Sequence, residues 1–442
     1  MPPTRLPLRL RLALTAYRLG WWLALPLVRA YFRRRARRDP RYGQHMDERL
    51  GGGPVLEGAV WVHAVSLGEM RSAVPLVRAL LDRGARVVTT HLTPAGRAAS
   101  EAAFGPEIAE GRLLARYLPL EQGRYWRRLY ARARPRLWLV LEIEIWPVMI
   151  AEAAKAGVPL YLVNSQIPAK SWPRAQRLAR WIGHPLRGVS GVLAKSARHA
   201  ERFRALGAPG VSVGGELRFD QPIPPAQPAA AAALAPLLAG RPVVTLASVV
   251  AGEEDLYLDA LSRLRERVPG LLAVWVPRAP ELFDATAGRL TAAGLRVARR
   301  SAALDAALHA PDPAALAGAD ILLGDSMGEM YFYLALAQAV VVGGGFVPKG
   351  AHNIIEPLAL RRPVLTGPHV WTIEYPGQEA QAEGVLTICP DAAALADRLA
   401  VLLTDPAAQA QAADRAEAFF AAHAGAAART LARIAPLLED RR

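Results

Sequence analysis

The sequence predicts an α/β protein made of two doubly wound parallel-sheet domains. Three observations carry that expectation. The chain has 442 residues, more than one hydrophobic core normally supports. Short apolar runs alternate with helical patterns, the βαβ rhythm of a parallel sheet. That rhythm breaks at a proline-rich stretch, QPIPPAQPAA at 221–230, and then restarts, which marks an interdomain connection.

Composition narrows the class. The chain is 52% hydrophobic and 21% charged, as suits a globular protein. Its single cysteine, Cys389, excludes an intramolecular disulfide framework and a multi-cysteine zinc site. The formal charge is +15, and it is unevenly placed: residues 1–50 hold twelve Arg against three acidic residues, a net of nine. The basic residues are not interleaved with aromatics, and no zinc-finger, RNP or helix-turn-helix signature occurs, so no nucleic-acid partner is expected. An anionic membrane surface explains a terminal Arg cluster more simply.

The segment 1–40 carries that cluster. Its most apolar part, 19–28, lies between Arg18 and Arg29, short of the roughly 20 apolar residues a crossing needs. Trp21 and Trp22 suit an interface, and Arg33, Arg34, Arg35, Arg37 and Arg38 follow. The expectation is a membrane-embedded or interfacial anchor helix with the Arg cluster on the cytoplasmic side. The alternative is an amphipathic helix packed on the protein itself.

The first domain is expected at 41–222, with strands at 59–65, 86–90, 137–141, 159–163, 189–194 and 211–213 and helices between them. In such sheets ligands sit at the carboxyl ends of the strands, and polar clusters fall there. His63 to Glu69 reads HAVSLGE, with Glu69 at a helix start. That carboxylate favours the helix dipole, and it is also a candidate general base. Glu142 and Glu144 follow the strand 137–141 directly. Alternation puts both on one side of an extended chain, and Pro147 then opens a helix. VNSQ (163–166) and GELRFD (215–220) end two further strands. Arg218 suits a phosphate or carboxylate, or a simple pairing with Asp220.

The second domain is expected at 223–442, with strands at 242–246, 271–276, 321–323, 340–342 and 363–366 and Ala-rich returning helices at about 406–438. Two such domains with a cleft between them are the architecture of GT-B glycosyltransferases. Strand ends again carry the polar groups: Gly252-Glu253-Glu254, Pro277-Arg278, GDSMGE (324–329), VVVGGGFVPKGAHNIIEP (340–357) and Gly367-Pro368-His369. Together they suggest a nucleotide pocket, with Arg278 and a helix start near Gly328 for a phosphate and Glu356 for ribose hydroxyls. Alone, Gly343-Gly344-Gly345 reads first as a structural turn between two core elements. No Asp-x-Asp, His/Cys cluster or Walker A loop occurs. A metal-free donor site and no cofactor are expected.

These pieces, in this order, resemble the lipid A Kdo transferases, which move 3-deoxy-D-manno-octulosonic acid (Kdo) from CMP-Kdo to a lipid A precursor. The matching segments are VHAVSLGE (62–69), EIEIWP (142–147), VNSQ, GELRFD, GEE (252–254), VPRAPELF (276–283), GDSMGE, GAHNIIEP (350–357) and GPH (367–369). The resemblance implies a GT-B fold, an inverting transfer and a place at the cytoplasmic face of the bacterial inner membrane. It implies Glu69 as the general base, Glu144 with Glu142 as the acidic motif associated with the transition state, and Arg218 where the family usually has Lys. It implies contacts to CMP from Pro277, Arg278, Met327, Gly328, Glu329, Asn353, Ile354, Ile355 and Glu356. The implied partners are a CMP-sugar donor, a lipid A precursor such as lipid IVA, and the membrane surface.

The chain departs from the family pattern at several polar positions. Ser248-Val249-Val250-Ala251 stands where Ser-Thr-His is common before Gly-Glu-Glu. Ala279 and Leu282 replace a His and an Arg, Gln166 and Pro168 replace an Arg and a Ser, and Gly350-Ala351 replaces Gly-Gly. The base and the nucleotide-facing positions are kept. Another donor sugar or acceptor, or a membrane-tethered sugar-nucleotide binding protein without catalysis, are the competing readings.

Overall fold

A computed structural model describes residues 7–312 and 314–439. Residues 1–6 of the expected anchor segment and 440–442 of the expected second domain lie outside them. The chain divides into two compact units: residues up to Gln221 with the segment from Ala424, and Pro222–His423.

The first unit holds β1 (Val60–His63), β2 (Val87–His91), β3 (Leu113–Tyr117), β4 (Leu137–Leu141), β5 (Leu160–Ser165), β6 (Gly191–Ala194) and β7 (Val211–Val213). They form a parallel sheet in the order β3-β2-β1-β4-β5-β6-β7. Alternation along β1 sends Trp61 to one face and Val60 and Val62 to the other. Trp61 packs at a tilt on its register partner Trp138, with ring centroids 4.8 Å apart. Both faces of the central strands are covered, so these strands read as continuous apolar runs.

The second unit holds β8 (Val243–Val249), β9 (Leu272–Pro277), β10 (Val297–Arg299), β11 (Ile321–Leu323), β12 (Ala339–Val342), β13 (Val364–Thr366) and β14 (Leu386–Ile388). Their order is β10-β11-β9-β8-β12-β13-β14, again parallel. In a doubly wound sheet the strand order reverses at one point, and the crevice there is the usual ligand site. The reversal falls between β1 and β4 in the first unit and between β8 and β12 in the second.

Two features differ from the sequence expectation. β3, β10 and β14 were not foreseen, and each is the edge of its sheet. An edge strand need not be apolar on both faces; β3 carries Arg116 and the β10 side chains are only half-buried. The second difference concerns the segment 223–442. Its last helix, Ala426–Glu439, packs in the first unit. The Asp220 carboxylate accepts from Gly425 N and Ala427 N at 2.5 and 2.6 Å, capping that helix. Leu431 and Ile434 join the core that contains Leu76, Leu80 and Leu217.

The amino-terminal helix runs Leu8–Ala36. Leu10, Leu14, Leu25 and Phe32 are buried against the protein, while Leu12, Leu19, Trp22, Leu23, Leu27 and Tyr31 are exposed. Arg18 pairs with the buried Glu152 at 2.9 Å. Among the described residues, no helix is long and apolar enough to cross a membrane.

Candidate functional site

In the first unit the reversal point brings together the ends of β1 and β4. Glu69 lies in the first turn of the helix Leu67–Asp82, whose N-cap is Ser66. Its Oε2 accepts from Val65 N at 2.7 Å, and Ser66 Oγ donates to its Oε1 at 3.4 Å. Ser66 Oγ in turn accepts from Glu69 N at 3.5 Å, the N-cap half of a capping box, while the Glu69 carboxylate reaches past the cap to Val65 N. Burial, reinforced by the negative charges of Glu144 and Glu142, pushes the Glu69 carboxyl up to about 7. A helix cap does not require such a shift, whereas a general base working near neutral pH is improved by it.

The turn after β4 is not extended. Glu142 takes φ 58°, in the left-handed region that non-glycine residues adopt only when contacts hold them there. This corrects the expectation that alternation sets Glu142 and Glu144 side by side. Glu142 Oε1 accepts from Lys195 Nζ at 2.7 Å and Asn164 Nδ2 at 2.9 Å. Glu144 Oε2 accepts from the Trp146 indole at 2.7 Å. Burial, with the charge of Glu142 adding to it, raises the Glu144 carboxyl above its ordinary value. Arg218 stands in the turn Leu217–Asp220 and donates from Nε to Ser72 Oγ at 3.3 Å. Ser72 lies one turn beyond Glu69 on the same helix, so Arg218 and Glu69 share one neighbourhood.

In the second unit the three glycines after β12 pack against protein. A Cβ on Gly343 would lie 2.5 Å from Ser248 O. One on Gly344, whose φ is 88°, would lie 2.3 Å from Gly350 O. One on Gly345 would lie 2.2 Å from Thr366 Oγ1. The loops after β8, β12 and β13 thus cross with no room for side chains. Glu253 fastens the crossing: its buried carboxylate accepts from Gly344 N at 2.8 Å and Phe346 N at 3.0 Å. The sequence left these glycines open between a turn and a ligand loop; the contacts make them a structural junction.

The expected nucleotide-binding residues lie at strand ends of the same sheet. Pro277 ends β9 and is buried. Arg278 follows it with an exposed side chain that makes no ion pair or hydrogen bond among the described residues. Burial, with the Arg278 charge adding to it, pushes the His352 imidazole down to about 4, so His352 is neutral near pH 7. Asn353 Oδ1 accepts from Ile355 N at 3.0 Å, two residues on, where the short helix Ile355–Ala359 begins. Ile354 and Ile355 are buried, so their side chains fill the core. Glu356 is half-buried, and its charge contributes to the raised Tyr331 hydroxyl after burial.

The turn after β11 is held from below. Met327 is exposed and Gly328 has φ 86°. Glu329, the residue before the helix Met330–Leu336, accepts from Arg300 Nε and Nη2, both at 2.7 Å, and from Ser326 Oγ. Its carboxylate is therefore engaged within the protein and fixes the turn. Asp325 accepts from Arg299 and Ser301 in the same way. Among the family departures, Val249 and Val250 fall on buried positions.

Sequence reasoning missed Lys195, which links Glu142 to Glu216 at 2.7 Å each. A signal was present. Only four of the 54 basic residues are Lys, and Lys195 directly follows an apolar run.

Comparison with known proteins follows the same residues. Positions 44–221 match the family model described as 3-deoxy-D-manno-octulosonic-acid transferase (kdotransferase). The 3-deoxy-D-manno-octulosonic acid transferase of Bordetella pertussis is 42% identical over 85% of this chain and 86% of its own length. The chain belongs to the Kdo transferase family. A second family member, from Haemophilus influenzae, is 29% identical over 86% of this chain and 88% of its own. The segments holding Glu69, Glu142, Glu144 and Arg218 all lie inside the matched span of the Kdo transferase model. A crystal structure of a UDP-N-acetylglucosamine 2-epimerase homologue from Listeria monocytogenes covers 87% of this chain and 98% of its own, at 15% identity and TM-score 0.57. That likeness shows the fold: two parallel seven-stranded sheets of the GT-B type.

Proposed function

We propose that this protein is an inverting glycosyltransferase that moves Kdo from CMP-Kdo to a hydroxyl of a lipid A precursor, lipid IVA, at the cytoplasmic face of the bacterial inner membrane. The observation that carries the reading is Glu69. It is a carboxylate at the reversal point of the first sheet, with its pKa lifted to about 7 beside Glu144 and Glu142. Glu69 takes the proton from the acceptor hydroxyl as that oxygen attacks the anomeric carbon of Kdo. The bond from that carbon to the phosphate oxygen breaks, and CMP leaves with the electron pair. Attack from the face opposite the leaving group inverts the anomeric centre. Glu144, Glu142 and Arg218 shape the charge around the reacting sugar.

On the second unit, Arg278 offers an exposed cation for the phosphate. The turn Met327–Gly328, held by Glu329, offers backbone N–H groups. Asn353 and Glu356 offer polar groups for the ribose and base, with Ile354 and Ile355 between them holding the segment in the core. Transfer needs no metal in this reading. The exposed apolar side of the helix Leu8–Ala36, with the Arg residues in and just after its last turn, suits an interfacial anchor on an anionic surface.

Incubating purified protein with CMP-Kdo and lipid IVA, with products read by mass spectrometry, tests the reading. The expected result is release of CMP and a gain of one or more Kdo units by the lipid. A folded, CMP-binding protein that yields no Kdo-lipid, or that transfers only another CMP-linked sugar, overturns it.

A further inference from the structure

One amine, at the end of β6, joins the carboxyl ends of β4 and β7, and the end of β5 bonds to the same turns. Lys195 directly follows β6, and its side chain is 3% exposed. Its Nζ lies 2.7 Å from Glu142 Oε1, after β4, and 2.7 Å from Glu216 Oε2, after β7. Asn164, in β5, donates to the same Glu142 oxygen and accepts from Leu217 N at 2.8 Å. Ser165 Oγ donates to the Glu142 carbonyl at 2.6 Å. The turn bearing Glu142 and Glu144 is thereby tied to the turn bearing Arg218.

We propose that Lys195 is a positioning residue for transfer: its ammonium clamps the Glu142–Glu144 turn to the Glu216–Arg218 turn and keeps both in register with Glu69. The proposal rests on the transferase reading above. Burying two carboxylates and an amine is a poor way to gain stability, because desolvation offsets the attraction and apolar packing serves as well. Such a cluster does fix geometry, and Glu142 needs fixing, since its φ of 58° is disfavoured for a non-glycine residue. Burial opposes the charge on Lys195, but Glu142 and Glu216 outweigh it and hold the amine protonated. Displacing catalytic groups by about 1 Å costs on the order of 10²-fold in rate, which is the scale on which such a clamp acts.

Lys195→Met alone would leave two carboxylates facing each other and is expected to fold poorly. The informative variant is Lys195→Met with Glu216→Gln, which keeps the net charge of the cluster; it is compared with Glu216→Gln. Two measurements are made: amide hydrogen exchange over 142–146 and 214–220, and kcat and KM for Kdo transfer. The expected result is exchange at least about tenfold faster in both segments, with kcat lower by on the order of 10²-fold and donor KM within about twofold. Unchanged exchange in a folded double variant overturns the clamp whatever the activity. Faster exchange with unchanged kcat overturns its part in transfer. If the wild type transfers no Kdo, the functional reading fails, and the exchange measurement still decides the clamp.

Discussion

Glu69 both caps its own helix and, in the proposed reaction, removes a proton. Its pKa of about 7 sets the pH dependence. The base works only when ionised, so kcat/KM is predicted to rise with pH and to be half-maximal near 7. Glu144→Gln removes one of the charges that raise Glu69, so this limb should move to lower pH even as the rate falls. A limb that stays in place would contradict the coupling. The same shift has a sign for stability. The folded value lies above the ordinary 4.5, so the fold favours protonated Glu69. That contribution is fully present below 4.5 and is lost as pH rises through about 7. Glu69→Gln, always neutral, should therefore gain thermal stability relative to wild type from about pH 5 to about pH 8. A melting difference independent of pH would refute this. The residues of the site were legible because acids at strand ends stand out in an apolar pattern. Their partners were not: nothing local in the sequence announces that Glu142 turns to Lys195, that Glu329 is held by Arg300, or that Asp220 caps a helix some 200 residues later.

The glycine-rich element after β12 shows how a motif suggestive of a ligand loop can be a packing device. Its glycines meet Ser248 in β8, Gly350 of the same loop and Thr366 in β13, and the Gly344 and Phe346 N–H groups are taken by Glu253. Gly345→Ala should accordingly destabilise the second unit by roughly 1–3 kcal/mol, an overpacking cost, measured by urea unfolding. An unchanged midpoint would show that the loops can part. Strands followed the same logic of legibility. Central strands are apolar on both faces and declare themselves, whereas β3, β10 and β14 lie at edges and were missed. The amino-terminal helix was expected as an anchor; Leu10 and Leu14 are buried against the protein while Leu12 and Leu19 stay exposed.

For the whole molecule, the proline-rich break near 221 and the return of the carboxy-terminal helices were readable, but the contacts that hold the last helix in the first unit, Asp220 and the apolar side of the helix Leu67–Asp82, were not. Deleting 424–442 should lower the melting temperature of the first unit and leave that of the second unchanged, as followed by calorimetry and limited proteolysis. Equal losses in both units would contradict the division. Membership of the Kdo transferase family, the doubly wound sheets and the carboxylate at the first reversal point converge on one claim, that Glu69 is the base of a Kdo transfer. A single-turnover comparison of wild type with Glu69→Gln, using CMP-Kdo and lipid IVA at saturating concentrations, tests it most directly. The account predicts a rate lower by on the order of 10²- to 10⁴-fold, with donor binding and fold retained. A Glu69→Gln variant that transfers Kdo at the wild-type rate would contradict it.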